Sequence, residues 1–267
     1  MDLRAQILMQ PQTAGRGSRM LEAMLDTAPI PVKVRETYSA EKDNILVTYG
    51  TGHAVRRVWW QQHIRRNGRC IGLDIGYWDR QDPDAGMRVT LDSDHPPQWI
   101  RPEDASRWDA RGVDLRADAG EGPALVIGQG VKSVRVRQER PLAWEMSRIK
   151  ALRSQGREVL YRPKRHGDAI PGGVNISRHE TIDEALVGCS LVVCRHSNVA
   201  VDACLAGVPA VCEGGAASAL YGNDPCNPIQ VTRSQRLSFL RSLAWWNYRP
   251  SEAAQAWTYL LSRIQSG

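Results

Sequence analysis

The chain has 267 residues, of which 42% are hydrophobic and 24% are charged, so it can bury the core of one large or two compact domains and is not a disordered protein. Lys and Arg total 35 against 29 Asp and Glu, for a formal net charge of +6, which fits a phosphorylated or polyanionic partner. No apolar run approaches the roughly 18 residues of a membrane-spanning helix. No secretory leader is recognisable either, so we predict a cytoplasmic protein without a membrane span.

The N-terminal part predicts one βαβ unit. Before residue 44 the pattern is mixed, with a short helix expected to begin at Met20 to Met24 and a loop at Thr27 to Val32 that leads into an edge strand. From Asn44 onward, ILVTYG predicts a strand, AVRRVWWQQHIRRNG a helix that ends at Gly68, and RCIGLDIGYW a second strand. Units of this length have parallel strands and a right-handed connection.

Residues 79–121 are rich in Asp, Pro and Arg and predict irregular structure. MRVTL at 87–91 is the one plain strand candidate, and EDASRWDARG is a candidate short helix. We place a domain boundary at residues 122 and 123, within the Gly- and Pro-containing segment that follows.

After that boundary, strands and helices alternate regularly, which predicts a doubly wound parallel sheet. The predicted strands are 124–128, 158–163 and 190–196, and the predicted helices are 141–156 and 181–188, followed by one more helix and strand up to Cys212. The tail holds two helical patterns separated by Arg249 and Pro250. We therefore predict an N-terminal Rossmann-like domain at 1–122, a C-terminal Rossmann-like domain at 123–230, and helices at 231–267 that pack back across both.

The exits of the strands in the second domain carry polar and cationic residues. In a doubly wound sheet these exits border the ligand crevice, and three of the four carry a Lys or Arg, which suits a diphosphate or a nucleotide. The simpler interpretation is that polar residues begin wherever a strand ends. The candidate ligand-binding residues are Gln129, Gly130, Lys132, Arg162, Lys164, Arg195, His196, Ser197, Asn198 and Glu213.

The first strand exit of the N-terminal domain is a short glycine-rich turn. Gly50 and Gly52 allow a ligand to approach the backbone, but Arg56 lies beyond them and no third glycine completes a dinucleotide fingerprint, so we exclude a nicotinamide site. His53 follows the turn and is a candidate catalytic residue, with a structural role as the alternative.

The second strand exit of this domain, LDIGYWDR, carries two carboxylates and two aromatic side chains. Asp74 and Asp79 are candidates for a general base, with helix capping or a structural role as the alternative. Tyr77 and Trp78 are candidates for a stacking surface that binds an acceptor, and His95 in the following turn is a further candidate.

Other reaction classes leave no recognisable motif. The sequence lacks a GxxxxGK[ST] loop, an HExxH motif and a GxSxG elbow. His166, Asp168 and His179 form the nearest metal-like cluster, but their spacing matches no known ligand set, so we predict no metal site. The six cysteines form no CxxC pair, which predicts reduced thiols in an intracellular protein.

The segment EALVGCSLVVCRHSNVAVDACLAGVPAV at 184–211 resembles the nucleotide-sugar half of GT-B glycosyltransferases, in the branch of capsule-type and phage-encoded transferases. YRPK at 161–164 resembles their strand exit that faces the diphosphate, and DIGYW and LAWWNYRPSEAAQAW resemble recurring segments of the phage proteins. The resemblance implies an α/β fold, with two Rossmann-like domains facing a cleft and C-terminal helices. It also implies a metal-independent reaction with no permanently bound cofactor. The catalytic base cannot be transferred by motif.

On this basis we expect a glycosyltransferase whose co-substrate is a nucleotide sugar, with a UDP-sugar favoured. The cations and the amides of Ser197 and Asn198 would stabilise the leaving diphosphate, Glu213 would bind a sugar hydroxyl, and Asp74 or Asp79 would deprotonate the acceptor. The basic balance and the phage-like tail favour a hydroxymethylated pyrimidine in DNA as the acceptor, in the host cytoplasm if the protein is viral. The alternatives are a polysaccharide or lipid-linked glycan acceptor, and a non-catalytic module that binds nucleic acid or a partner protein. The sequence indicates no oligomeric state.

Overall fold

The computed structural model describes residues 3–10, 15–40, 44–50, 54–80, 82, 84–95, 97–113, 115–116 and 120–266. The chain divides into two compact units, the first formed by Met1–Trp99 with Ala244–Gly267 and the second by Ile100–Leu243. These bounds differ from the predicted domain limits at 122 and 230. Because packing alone does not determine which parts fold independently, the predicted domain limits stay predictions.

The two units are built from strands and helices that follow one another along the chain. The strands are β1 Ala5–Leu8, β2 Val32–Arg35, β3 Ile45–Tyr49, β4 Arg69–Ile75, β5 Met87–Leu91, β6 Ala124–Ile127, β7 Val159–Arg162, β8 Asn175–Ile176, β9 Leu191–Cys194, β10 Ala210–Cys212 and β11 Asn247–Tyr248. The helices are α1 Arg16–Asp26, α2 Ala54–Ile64, α3 Ser106–Asp109, α4 Val131–Arg137, α5 Ala143–Ser154, α6 Ile182–Leu186, α7 Val199–Ala206, α8 Ser218–Tyr221, α9 Arg233–Ala244 and α10 Ala253–Ser266. None of the described helices is long and apolar enough to cross a bilayer.

The first unit contains a six-stranded sheet in the order β11-β5-β4-β3-β1-β2. The pairing of β3 with β4 is parallel, with Ile45 opposite Arg69, which confirms the predicted βαβ unit. β2 is an edge strand, as predicted, whereas β1 was not predicted. β5 is antiparallel to β4, and β11 is antiparallel to β5. The sheet is therefore mixed, with its antiparallel pairings at the β11 end.

The tail contributes a strand as well as two helices. The predicted helical patterns correspond to α9 and α10, but β11 lies between them and extends the first sheet. The buried Trp257 of α10 donates its indole N–H to the carbonyl of Met24 in α1 at 2.7 Å. The large aromatic residues of the tail therefore complete the core of the first unit.

Gly76 lies at the exit of β4, where the backbone passes very close to its neighbours. A Cβ atom at this position would overlap the carbonyl oxygen of Gly86 and lie 2.6 Å from Oδ1 of Asn247. The same Asn247 oxygen accepts a hydrogen bond from the backbone N–H of Tyr77 at 3.2 Å. Glycine is needed here because only a residue without a side chain leaves room for this contact.

The second unit contains a five-stranded sheet in the order β10-β9-β6-β7-β8. All four pairings are parallel, which confirms the predicted parallel sheet. The strands are short apolar runs, and Val126, Val193 and Val211 lie in one buried cluster with Tyr161 and residues of α5. Continuous apolar runs of this kind are typical of strands buried on both faces. The short helix α4 was not predicted.

Candidate functional site

The sequence-predicted segments of the second unit meet at a topological switch point. From β6 the chain continues to β7 on one side, whereas β9 pairs with β6 on the other side. Ligands of open α/β sheets bind outside the carboxyl ends of strands at such a point. Gly128, Gln129 and Gly130 follow β6, and residues 195–198 follow β9. The fold therefore brings these two candidate segments to the same sheet edge, on adjacent strands.

The start of α7 is formed by the Ser-Asn pair. Oγ of Ser197 accepts a hydrogen bond from the N–H of Val199 at 3.3 Å, and the carbonyl of Asn198 accepts one from Val201 at 2.8 Å. The helix ends at Gly207, which adopts the left-handed conformation with φ 83°. The N–H groups of the first turn of α7 lie at the exit of β9, where a helix start favours an anion.

Arg195 is part of an ion-pair cluster at the same edge. Its guanidinium pairs with the carboxylate of Glu139, and its Nε lies 3.7 Å from Oε2 of Glu213. Glu213 also pairs with Arg148 at 2.5 Å. Two cations are thus balanced by two carboxylates. Contact between Arg195 and a diphosphate stays a prediction, and the half-buried His196 follows it in the same turn.

Arg162 is held by the loop that precedes α6. Its guanidinium donates to the carbonyls of His179 at 2.7 Å and Glu180 at 3.0 Å. That loop is fixed in turn by a capping box between Thr181 and Glu184. Both partners are neutral carbonyls, so these contacts tie the loop in place without offsetting the charge of the guanidinium at the end of β7.

Two lysines contribute exposed cations to the strand exits. Helix α4 begins directly after Gly130, and Lys132 is its second residue. Lys164 follows β7, and the side chains of both lysines are exposed. The alkyl chain of Lys164 runs beside Gly130, where a Cβ atom would lie 3.8 Å from its Cγ. The two lysines therefore belong to adjacent strand exits, those of β6 and β7.

Glu145 is a buried residue of this region that sequence reasoning missed. It lies in the first turn of α5, is 1% exposed, and accepts the backbone N–H of Gln129 at 2.8 Å. A cavity of about 90 Å³ beside it is also lined by Tyr161 and Asp168. Burial, together with the charges of Glu145 and Asp168, raises the pKa of Tyr161 to about 12. Acidic residues are common in the first turn of a helix, so the sequence carried no signal for this role.

In the first unit, Arg88 brings Asp74 and His95 together. Asp74 faces Arg88 across the antiparallel pairing of β4 with β5, and their side chains form an ion pair at 3.0 Å. Arg88 is 6% exposed and also lies 3.2 Å from Nδ1 of the buried His95. Oδ1 of Asp74 accepts the N–H of Ile75 at 2.7 Å. The carboxylate of Asp74 is therefore fixed in orientation while it remains partly exposed.

The other candidates of the first unit lie in different environments. Tyr77 and Trp78 are buried, so their rings pack inside the unit, and their predicted role in stacking on an acceptor stays a prediction. Asp79 is exposed, on a turn with φ 51°. Gly50 has φ 72°, and its carbonyl accepts a hydrogen bond from Arg56 at 3.1 Å. Gly52 and His53 lie outside the described residues.

Within the described part of the chain, no group of three or more His, Cys, Asp or Glu side chains is arranged to hold a metal ion. Metal independence stays a prediction, because a reaction can also recruit a metal together with its substrate.

Comparisons with known proteins identify the fold. No protein-family model and no curated protein matches the sequence. Among solved structures, the β-Kdo 2,4 transferase of Thermosulfurimonas dismutans KpsC matches with a TM-score of 0.58 and 14% identity over 95% of this chain and 94% of that one. The β-Kdo 2,7 transferase of the same protein matches with a TM-score of 0.54 and 14% identity over 97% and 99%. The predicted GT-B-like α/β fold, with two Rossmann-like units and C-terminal helices, is confirmed.

Proposed function

We propose that this protein is a glycosyltransferase that binds a nucleotide sugar at the carboxyl edge of the second sheet. The observation that carries the proposal is the switch point between β6 and β9. The turn at Gly128–Gly130 and the start of α7 follow these two adjacent strands. The names of the two structural neighbours, both Kdo transferases and therefore sugar-transferring enzymes, support the same reaction class.

The charges at this edge suit the chemistry of the reaction. Sugar transfer breaks a C–O bond to a phosphate group, so the enzyme must stabilise negative charge that develops on the leaving group. The N–H groups at the start of α7 and the cations Lys132, Lys164 and Arg162, all at strand exits of the second sheet, would supply this stabilisation. Arg195 would do so from within its cluster, by exchanging a carboxylate partner for a phosphate.

Calorimetric titration of UDP, GDP, CMP and ADP tests the donor site, with a UDP-sugar as the donor we favour. We expect one nucleotide to bind, and Lys132→Ala to weaken that binding about tenfold, because the variant loses a charge-assisted contact with phosphate. Lys150→Ala is the matched control, since Lys150 is also an exposed helical lysine but lies midway along α5. If none of the nucleotides binds, the non-catalytic alternative replaces this proposal.

We further propose Asp74 as the general base that deprotonates the acceptor hydroxyl. Its carboxylate is oriented by Arg88 and remains partly exposed, whereas Asp79 lies on an exposed turn. Asp74→Asn should reduce turnover about 10²- to 10⁴-fold, the usual contribution of a general base, and leave the dissociation constant for the nucleotide unchanged. Steady-state kinetics and calorimetry on the same preparation measure the two effects.

Asp79→Asn is the control for this assignment, because it removes a neighbouring carboxylate of the same strand exit. We expect its turnover to stay within about twofold of the wild type. The opposite result, a loss of turnover in Asp79→Asn with Asp74→Asn unaffected, would assign the base to Asp79 instead.

For the acceptor, we propose a glycan hydroxyl rather than the DNA base that the sequence pattern favoured. In the basic segment formed by α2 and the residues after it, Arg56 binds the carbonyl of Gly50 and the side chain of Gln10, and His63 is buried, whereas Arg57, Arg65 and Arg66 are exposed. Part of the basic character of this segment is therefore engaged within the protein. The names of the structural neighbours also describe transfer of a sugar called Kdo. We therefore expect no salt-sensitive binding to a DNA duplex that contains hydroxymethylated pyrimidines. Binding whose affinity falls steeply between about 50 and 200 mM salt would restore the DNA proposal.

A further inference from the structure

Two cysteines face each other on adjacent strands at the carboxyl edge of the second sheet. Cys194 ends β9 and Cys212 ends β10, and the two residues are direct partners in the parallel pairing. Both are fully buried and neither forms a disulfide in this structure. Neighbouring strands lie about 4.8 Å apart, which is within the range of about 4.4–6.8 Å between Cα atoms that a disulfide requires.

The two thiols are chemically unequal. The interaction between the two thiols raises the pKa of Cys194 and lowers that of Cys212. Each thiol also donates a hydrogen bond to a backbone carbonyl, Cys194 to Ser197 at 3.6 Å and Cys212 to Arg195 at 3.8 Å. Backbone N–H groups of Gly215 and Gly214 lower the pKa of Cys212 further. By contrast, burial raises the pKa of Cys204, the next cysteine along the chain before Cys212. Within the pair, Cys212 is thus the thiol more readily converted to the nucleophilic thiolate.

The backbone of Gly215 packs against the sulfur of Cys212. A Cβ atom at Gly215 would overlap Sγ of Cys212, so the chain passes directly over the sulfur without a side chain between them. The neighbouring Gly214 is exposed. Because the sulfur is buried, access for a peroxide requires a local movement, and this two-glycine turn is the segment that lies against it.

We propose that Cys194 and Cys212 form a modification site, a dithiol that hydroperoxides oxidise to a disulfide. The Cys212 thiolate attacks the O–O bond of hydrogen peroxide and becomes a sulfenic acid, while the departing hydroxide takes a proton and leaves as water. The Cys194 sulfur then attacks the sulfenic sulfur, the S–S bond forms, and a second water departs. Two thiols lose two electrons, and one peroxide is reduced to two waters.

The bond would join two strand exits of the candidate functional site. Cys194 immediately precedes Arg195, and Cys212 immediately precedes Glu213, whose side chains belong to one ion-pair cluster. The disulfide would therefore form next to that cluster and would link the chain segment that carries Arg195 to the one that carries Glu213.

Peptide mapping after peroxide treatment tests the proposal. The protein is titrated with hydrogen peroxide, denatured, alkylated and digested with trypsin, which cleaves after Arg195 and separates the two cysteines into the peptides 179–195 and 196–233. We expect these peptides to be joined in a product two hydrogens lighter than their sum. The exposed Met146, 55% accessible, is the internal measure of peroxide dose because it forms a sulfoxide.

Serine variants identify the two sulfurs and their roles. Cys194→Ser and Cys212→Ser should each abolish the cross-link, whereas Cys189→Ser and Cys204→Ser, which remove the other buried cysteines of the same two peptides, should keep it. Dimedone should label Cys212 in Cys194→Ser and leave Cys194 unlabelled in Cys212→Ser. A cross-link that persists in Cys212→Ser, or full alkylation of both cysteines once Met146 is oxidised, would overturn the proposal.

Discussion

Gly76→Ala is expected to destabilise the protein by about 3 kcal/mol or more, which corresponds to a fall in Tm of about 6–12 °C. The added methyl group would overlap the carbonyl oxygen of Gly86 and crowd Oδ1 of Asn247. The first of these is backbone, so it cannot rotate away, and relief requires β4, β5 or β11 to move. Thermal unfolding followed by circular dichroism measures the effect.

Gly172→Ala is the matched control, because it is the same substitution at a glycine with no atom within 4 Å of the added methyl group and an ordinary backbone conformation. We expect the stability of this variant to change by less than about 1 kcal/mol, with a slight increase as the normal outcome of a reduced unfolded-state entropy. Equal melting temperatures for Gly76→Ala and the wild type would show that the exit of β4 is looser than this structure has it.

Arg195→Ala is expected to cause a large loss of activity. It removes the cation that pairs with both Glu139 and Glu213, while the ion pair between Arg148 and Glu213 remains. An anionic donor would then approach a site with an added negative charge and without the guanidinium. We expect a loss of about 2–5 kcal/mol of transition-state stabilisation, which steady-state kinetics measures as a fall in kcat/KM.

The double variant Arg195→Ala with Glu139→Gln separates the two contributions. It restores the charge balance of the cluster but not the guanidinium. If Arg195 touches the donor, nucleotide affinity should stay low in the double variant, whereas recovery to the wild-type value would show that Arg195 acts only by neutralising Glu139. Wild-type kinetics in the single variant would remove Arg195 from the site.

The parts of the fold that the sequence predicted are those with long, regular local patterns. The β3–α2–β4 unit and the strands β6, β7 and β9 are apolar runs bounded by Gly, Pro or charged residues, so their type follows from the sequence alone. β11 consists of two residues, which the sequence pattern assigned to a helix. They form a strand because β5 offers them an edge with which to pair. A pairing partner about 160 positions away leaves no local signal.

The candidate site shows the same limit. The sequence placed Arg162, Arg195 and Asp74 at strand exits correctly, since this depends on where each strand ends. It could not show that Arg195 pairs with Glu139, because that pair spans 56 positions and depends on how α4 and β9 are placed in the fold. Arg88 was missed for a similar reason, as its partner becomes apparent only from the antiparallel register of β4 and β5.

The division of the chain between the two units has a consequence for biosynthesis. The second unit is one continuous segment, whereas the first is assembled from both ends of the chain and includes residues 244–267. During translation the second unit can therefore complete its sheet while the first still lacks β11 and α10. Until residues 244–267 emerge from the ribosome, the outer edge of β5 is an open strand that a chaperone or a neighbouring nascent chain can bind.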